Sequence, residues 1–156
     1  MARRLLHGSC ALVLALSAVS AMAAATATTP DPDADTRNRT RYLLHCSGCH
    51  QPDASGRPES GIPRMKGQVG HFLQVPEGRA FLVQVPGTSQ SKLNDADTAA
   101  MLNWLVLAVS RDEVPAGFVP YTADEVTRLR AQPLADAPGT RRHVVELLRA
   151  RGFQVE

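Results

Sequence analysis

Residues 45–51 read His-Cys-Ser-Gly-Cys-His-Gln, which puts Cys46, Cys49 and His50 within five positions. On a helix, Cys46 and Cys49 stand at i and i+3, and His50 at i+4 from Cys46, so all three share one face. Three chemistries use two cysteines at this spacing. A thioredoxin-type redox pair wants a strand–helix setting in an α/β domain. A structural zinc ion wants four ligands, and the only other cysteine is Cys10. The third is covalent haem: two thiols form thioethers with the vinyl groups while the imidazole rises beneath the iron. C-x-x-C-H is the attachment signature of c-type haem.

The start of the chain agrees with that chemistry. Arg3 and Arg4 precede an apolar run from Ala11 to Val19, and small residues end in Ala21-Met22-Ala23. That is the plan of a secretory signal peptide over residues 1–23, cleaved after Ala23 or Ala25. The apolar run is short for a membrane span, which takes about 20 residues, so no span is expected after cleavage. Cys10 leaves with the signal, and the mature chain keeps only the two cysteines of the motif. Without Arg3 and Arg4 the seventeen Lys and Arg fall to fifteen, matching fifteen Asp and Glu. Nothing in that balance points to nucleic acid. Covalent haem is attached on the exported side, so a periplasmic location is expected.

Beyond the signal, residues 24–35 are Ala, Thr, Pro and Asp with no apolar period, and read as a flexible leader. Asp35 is expected to cap a helix running from about Thr36 into the cysteine motif, with Tyr42, Leu43 and Leu44 buried. Residues 52–70, rich in Pro and Gly, read as loop. Pro76 to Val85 reads as a short helix with Phe81, Leu82 and Val85 inward, ended by Pro86-Gly87. The clearest helix follows, capped by Asn94 or Asp95, with Met101, Leu102, Leu105, Val106 and Val109 at helical spacing and Trp104 in its middle. Thr122 to Glu125 carries a capping-box signal for a helix to about Gln132. Gly139 to Arg151 reads as a last helix, stopped by Gly152. No alternating strand pattern occurs. The expected class is all-α.

At this point the chain resembles the small single-haem c-type cytochromes, mitochondrial cytochrome c and its bacterial relatives. The resemblance covers residues 36–110, leaving 111–156 as a C-terminal helical extension. It rests on the Cys46-Ser-Gly-Cys49-His50 helix and on Gly61-Ile-Pro63-Arg-Met65-Lys-Gly67, which looks like the family's G-x-P-x-L-x-G loop. Val85-Pro-Gly-Thr88-Ser-Gln90, which looks like V/I-P-G-T-K-M, and the helix from Asn94 to about Ser110 complete it. The resemblance implies a cytochrome c-like fold around one covalent haem c. It also implies His50 as proximal iron ligand, Pro63 as carbonyl acceptor for its Nδ1–H, and Met65 packed on the haem, with Trp104 in an aromatic position of the pocket. Leu44, Phe72, Leu82 and Leu105 are further pocket candidates.

The sequence departs from the family on the distal side. Where P-G-T-K-M supplies its methionine, this chain has Gln90, and no methionine lies between Met65 and Met101. Met65 sits in the proximal loop, and Met101 lies on an amphipathic helix where methionine commonly fills core. His71, in a Gly-flanked stretch, is a bis-histidine candidate. Gln90 offers an amide oxygen or merely covers a water or an empty site. Lys92 is strongly hydrated, His45 adjoins the attachment motif, and His143 belongs to the tail.

The function implied is a periplasmic one-electron carrier between a dehydrogenase and another cytochrome or an oxidase, and not an enzyme. Two alternatives stand beside it: an open or weakly ligated distal site that binds small ligands, and a haem subunit of a dehydrogenase complex. Arg57, Arg64, Lys66, Arg79 and Lys92 outnumber Glu59 and Glu77 between residues 57 and 92, a mildly basic rim for an acidic partner.

Overall fold

The computed structural model describes residues 31–156. The expected signal peptide with Arg3, Arg4 and Cys10, and most of the expected leader, lie outside the described residues. Among the described residues the chain is helical, and its one β pairing is an isolated bridge between Arg57 and Ile62.

Helix α1 (Ala34–His45) begins two residues before the position read from sequence, inside the expected leader, and its N-cap is Asp33. Asp35 lies in the first turn instead, and its carboxylate accepts from Trp104 Nε1 at 2.6 Å. A short helix α2 (Ser47–His50) follows, separated from α1 by Cys46 at φ −125° and ψ −37°. The Ser47 hydroxyl donates back to Leu43 O at 2.7 Å across that break.

Helix α3 (Pro76–Gln84) starts on proline, which is pre-set for a first helical turn. It ends at its C-cap Val85, directly before Pro86-Gly87 as expected, and Pro86 also opens a single turn, α4 (Pro86–Ser89), for the same reason. Helix α5 (Asp95–Val109) is capped by Asn94, whose side chain accepts from the Asp97 amide at 2.8 Å. Its buried residues, Thr98, Ala99, Met101, Leu102, Leu105 and Val106, recur every three or four positions. Helix α6 (Ala123–Arg130) is capped by Thr122 as expected. Helix α7 (Ala137–Ala150) is capped by Asp136, and Gly152 at φ +88° lets Phe153 N donate back to Leu148 O at 3.1 Å.

Helices α1 and α5 pack together, and α6 lies against both α5 and α3. Tyr42, Ala54, Val83, Met101, Leu102, Leu105, Tyr121 and Val126 share one core with them. A second cluster joins Phe72, Val75 and Phe81 to Val144, Val145, Leu148 and Val155 of the extension. Residues 111–156 therefore supply parts of both cores. Asn103 of α5 reinforces the join, accepting from Tyr121 N at 2.7 Å and donating to Tyr121 O at 3.0 Å.

Arg79 of α3 fastens the same join. Its guanidinium bonds Glu125 through Nε at 2.6 Å and Nη2 at 2.7 Å, and lies 4.0 Å from the centre of the Tyr121 ring. The Tyr121 hydroxyl donates to Arg79 O at 2.8 Å. The bidentate pair holds the Glu125 carboxyl below its usual range.

Candidate functional site

The turn that leaves α1 orders the three residues of the motif. Cys46 N donates to Tyr42 O at 2.9 Å, and His50 N donates to Cys46 O at 3.0 Å, so helical bonding runs through the break. Cys46 is half-buried and Cys49 exposed, both as free thiols. Burial, and then the neighbouring Cys49, push the Cys46 thiol up to about 11. A redox dithiol needs an accessible thiolate of lowered pKa, and the first cysteine here is the reverse. Among the described residues no three His, Cys, Asp or Glu side chains gather as ligands of one ion, so the zinc reading lacks its set.

His50 is held in one tautomer. Its Nδ1 lies 3.2 Å from Pro63 O, and a carbonyl only accepts, so Nδ1 carries the hydrogen and Nε2 keeps its lone pair. Burial lowers the His50 pKa, and the hydrogen bond to Pro63 works against that shift. The result is a half-buried neutral imidazole, the form that ligates metals. The contact that the resemblance implied between Pro63 and His50 is present in the fold.

The proximal loop is built to present that carbonyl. Gly56 N donates to His50 O at 3.0 Å, and Ala54 O accepts from both Met65 N at 2.9 Å and Lys66 N at 3.0 Å. Gly56 has φ +68°, and a Cβ there would stand 2.5 Å from Pro63 O. No side chain fits while that carbonyl faces His50. Gly56→Ala is therefore expected to displace Pro63, destabilise the protein by about 1–3 kcal/mol and shift the haem spectrum of the loaded protein. Denaturant titration beside an absorption spectrum checks this; unchanged stability and spectrum would contradict the role given to Gly56.

Cys46 packs on the first core together with other partly buried apolar side chains. Leu43, Cys46, Met65, Leu73, Leu93 and Trp104 are only partly buried against the first core. Two thiols on one turn, a neutral imidazole with a fixed tautomer and an apolar surface left partly uncovered fit a tethered, largely apolar macrocycle. Of the pocket candidates, Leu44 is 75% exposed. Phe72 and Leu82 belong to the second cluster, and Leu105 lies within the first core. Leu73 and Leu93, not singled out from sequence, are partly buried against the first core; Leu93 precedes the Asn94 cap, where an apolar residue packs back on the first turn. Trp104 stands at the α1–α5 crossing, its ring centre 6.1 Å from that of Tyr42.

The other residues weighed for the iron are dispersed. Met101 is buried among core residues of α5, and Met65 follows Pro63 in the proximal loop. The His71 ring packs on Phe153 with centres 5.4 Å apart, beside the second cluster, and its Nδ1 is buried without a protein partner. Gln90, Lys92, His45 and His143 are exposed. The basic rim is largely spent locally: Arg79 on Glu125, Arg64 on Glu156 at 3.4 Å and Lys66 near Asp53 at 3.9 Å.

No protein-family profile matches the chain. It is similar to cytochrome c-552 of Thermus thermophilus, 33% identical over 112 residues, covering 60% of this chain and 85% of that protein. A second cytochrome c-552, from a particular strain of the same species, is likewise 33% identical over 112 residues, with 60% of this chain and 75% of the relative covered. The shared portion exceeds the roughly half of the chain on which residues 36–110 carried the resemblance, so the similarity reaches beyond them.

Proposed function

The chain belongs to the class I, single-haem c-type cytochromes, and we propose that it works in the periplasm, passing electrons singly from a dehydrogenase to another cytochrome or an oxidase. As a member of that family it carries one covalent haem c and is an electron carrier, not an enzyme. The haem, when bound, supplies the one-electron Fe(III)/Fe(II) couple.

The chain's own residues divide the remaining work. Cys46 and Cys49 would hold the group by thioether bonds, and His50 would ligate the iron through Nε2. Pro63 O fixes the imidazole plane by accepting from Nδ1, a bond whose partner orients the ligand and raises its basicity. Met65 and Trp104, partly buried against the same core as Cys46, would supply apolar surface to the ring. The observation that carries this assignment is the His50–Pro63 contact at 3.2 Å, because it leaves Nε2 as the imidazole's free lone pair.

The signal-like start of the sequence and the compartment in which haem c is attached support the periplasmic reading. No described helix is long and apolar enough to cross a membrane. The extension supports a free carrier over a dedicated dehydrogenase subunit, since α6 and α7 pack back on α3 and α5. The test is potentiometric titration of the loaded protein, followed by its absorption. A single reversible wave fitting one electron is expected, at a potential below that of a His/Met-ligated c-type cytochrome measured alongside, because a thioether favours ferrous iron. An irreversible or two-electron response would overturn the carrier reading.

A further inference from the structure

The segment from Thr88 to Leu93 occupies the stretch that delivers the distal methionine in the resembled family, and Arg130 grips it from outside. From the last turn of α6, its Nη1 donates to Leu93 O at 2.9 Å and to Asp95 Oδ1 at 2.7 Å. Its Nη2 donates to Thr88 O at 3.2 Å, Ser91 Oγ at 3.0 Å and Thr98 Oγ1 at 2.8 Å. The side chain is 17% exposed, so these bonds lie largely out of water, where they are strongest. Both ends of the segment are tied to one guanidinium. Rearrangement of the segment would break several charge-assisted hydrogen bonds at once.

The rest of the described residues supply no substitute. Gln90 closes α4 with its amide on Pro86 O at 3.0 Å, and the residue is exposed. Met65 is committed to the proximal loop that also holds Pro63. Met101 is 3% exposed within the first core. His71 is stacked on Phe153.

We propose that the side of the iron opposite His50 carries no strong side-chain ligand from the described residues and is a binding site for small exogenous ligands. The class is fixed by the metal: neutral π-acceptor diatomics such as CO or NO on ferrous iron. Arg130 of the extension ties residues 88–93 down at both ends. The open site rests on the haem reading above and goes beyond electron carriage, since it assigns the site a ligand of its own.

The test uses the full-length, haem-loaded protein. The ferric spectrum is recorded into the near-infrared, and the dithionite-reduced protein is titrated with CO. Expected are high-spin features in the ferric form and a saturating Soret shift with one CO per haem. Met101→Leu and His71→Phe are expected to leave CO affinity within about twofold, and Gln90→Ala to leave the association rate within about twofold. A low-spin spectrum in both oxidation states with no CO response would overturn the proposal. So would an association rate about tenfold faster in Gln90→Ala, which would make the glutamine amide the ligand. Failure to form any covalent haem spectrum would sink the haem assignment itself; a reversible redox wave without CO binding would sink the open site alone.

Discussion

The Cys46→Ser/Cys49→Ser variant, produced in cells that mature c-type haem, is expected to yield polypeptide without covalent haem. Serine keeps the size and the hydrogen-bonding reach of cysteine, but it forms no thioether, so the substitution isolates the attachment chemistry. Each single variant should retain haem through one bond, at a reduced yield. The double variant should also fold less stably, because a group held only by the native state contributes its binding free energy to folding. Met65 and Trp104, only partly buried beside Cys46 on the first core, would stay in water. Absorption of the denatured variant reads the haem, and thermal denaturation followed by circular dichroism reads the stability. Full covalent loading of the double variant would contradict the assignment of these thiols.

The second large effect is expected at Tyr42, which is 2% exposed between α1 and α5. Its ring lies against Trp104 at a tilt of 47°, and its hydroxyl donates to Gln51 O at 2.6 Å. Burial pushes that phenol up to about 12, so the hydroxyl stays a donor throughout the working range. Gln51 directly follows His50 and has φ 67°, a conformation that costs a non-glycine residue about 1–3 kcal/mol. Tyr42 therefore fills the helix crossing and restrains the strained exit from the haem motif. Tyr42→Ala should lose about 3–5 kcal/mol through the cavity and lost contacts. Tyr42→Phe keeps the ring and leaves Gln51 O still accepting from Ala54 N at 3.2 Å, so it should lose about 0.5–1.5 kcal/mol, the usual net contribution of one hydrogen bond. Urea titrations of the two variants separate the terms; equal losses would mean that the hydroxyl carries nearly all of the effect.

What could be seen in the sequence was whatever local chemistry decides. The spacing of Cys46, Cys49 and His50 named the cofactor, and the Asn94 and Thr122 caps located α5 and α6 because a side-chain oxygen three residues before an amide is a local device. Tyr42, Leu43 and Leu44 could not all face inward, since three successive residues span about 200° of a helix; Leu44 is the one turned out. The start of α1 was misplaced because Asp31, Asp33 and Asp35 offer similar caps within five residues. Val83 was missed as core since α3 is covered on two sides, by the first core and by the extension, which is a tertiary fact. Arg130 carries no local signal beyond a cation at a helix C-terminus. Its acceptors lie 32 to 42 residues earlier, and only folding gathers them.

The central claim is that one haem is bound through Cys46 and Cys49, and mass spectrometry of the exported protein under denaturing conditions tests it most directly. After acidic solvent extraction, which removes haem held only by coordination, the account predicts a chain heavier by the mass of one haem, with the addition on the peptide containing Cys46 and Cys49. A bare polypeptide mass, or haem mapped to any other peptide, would contradict it.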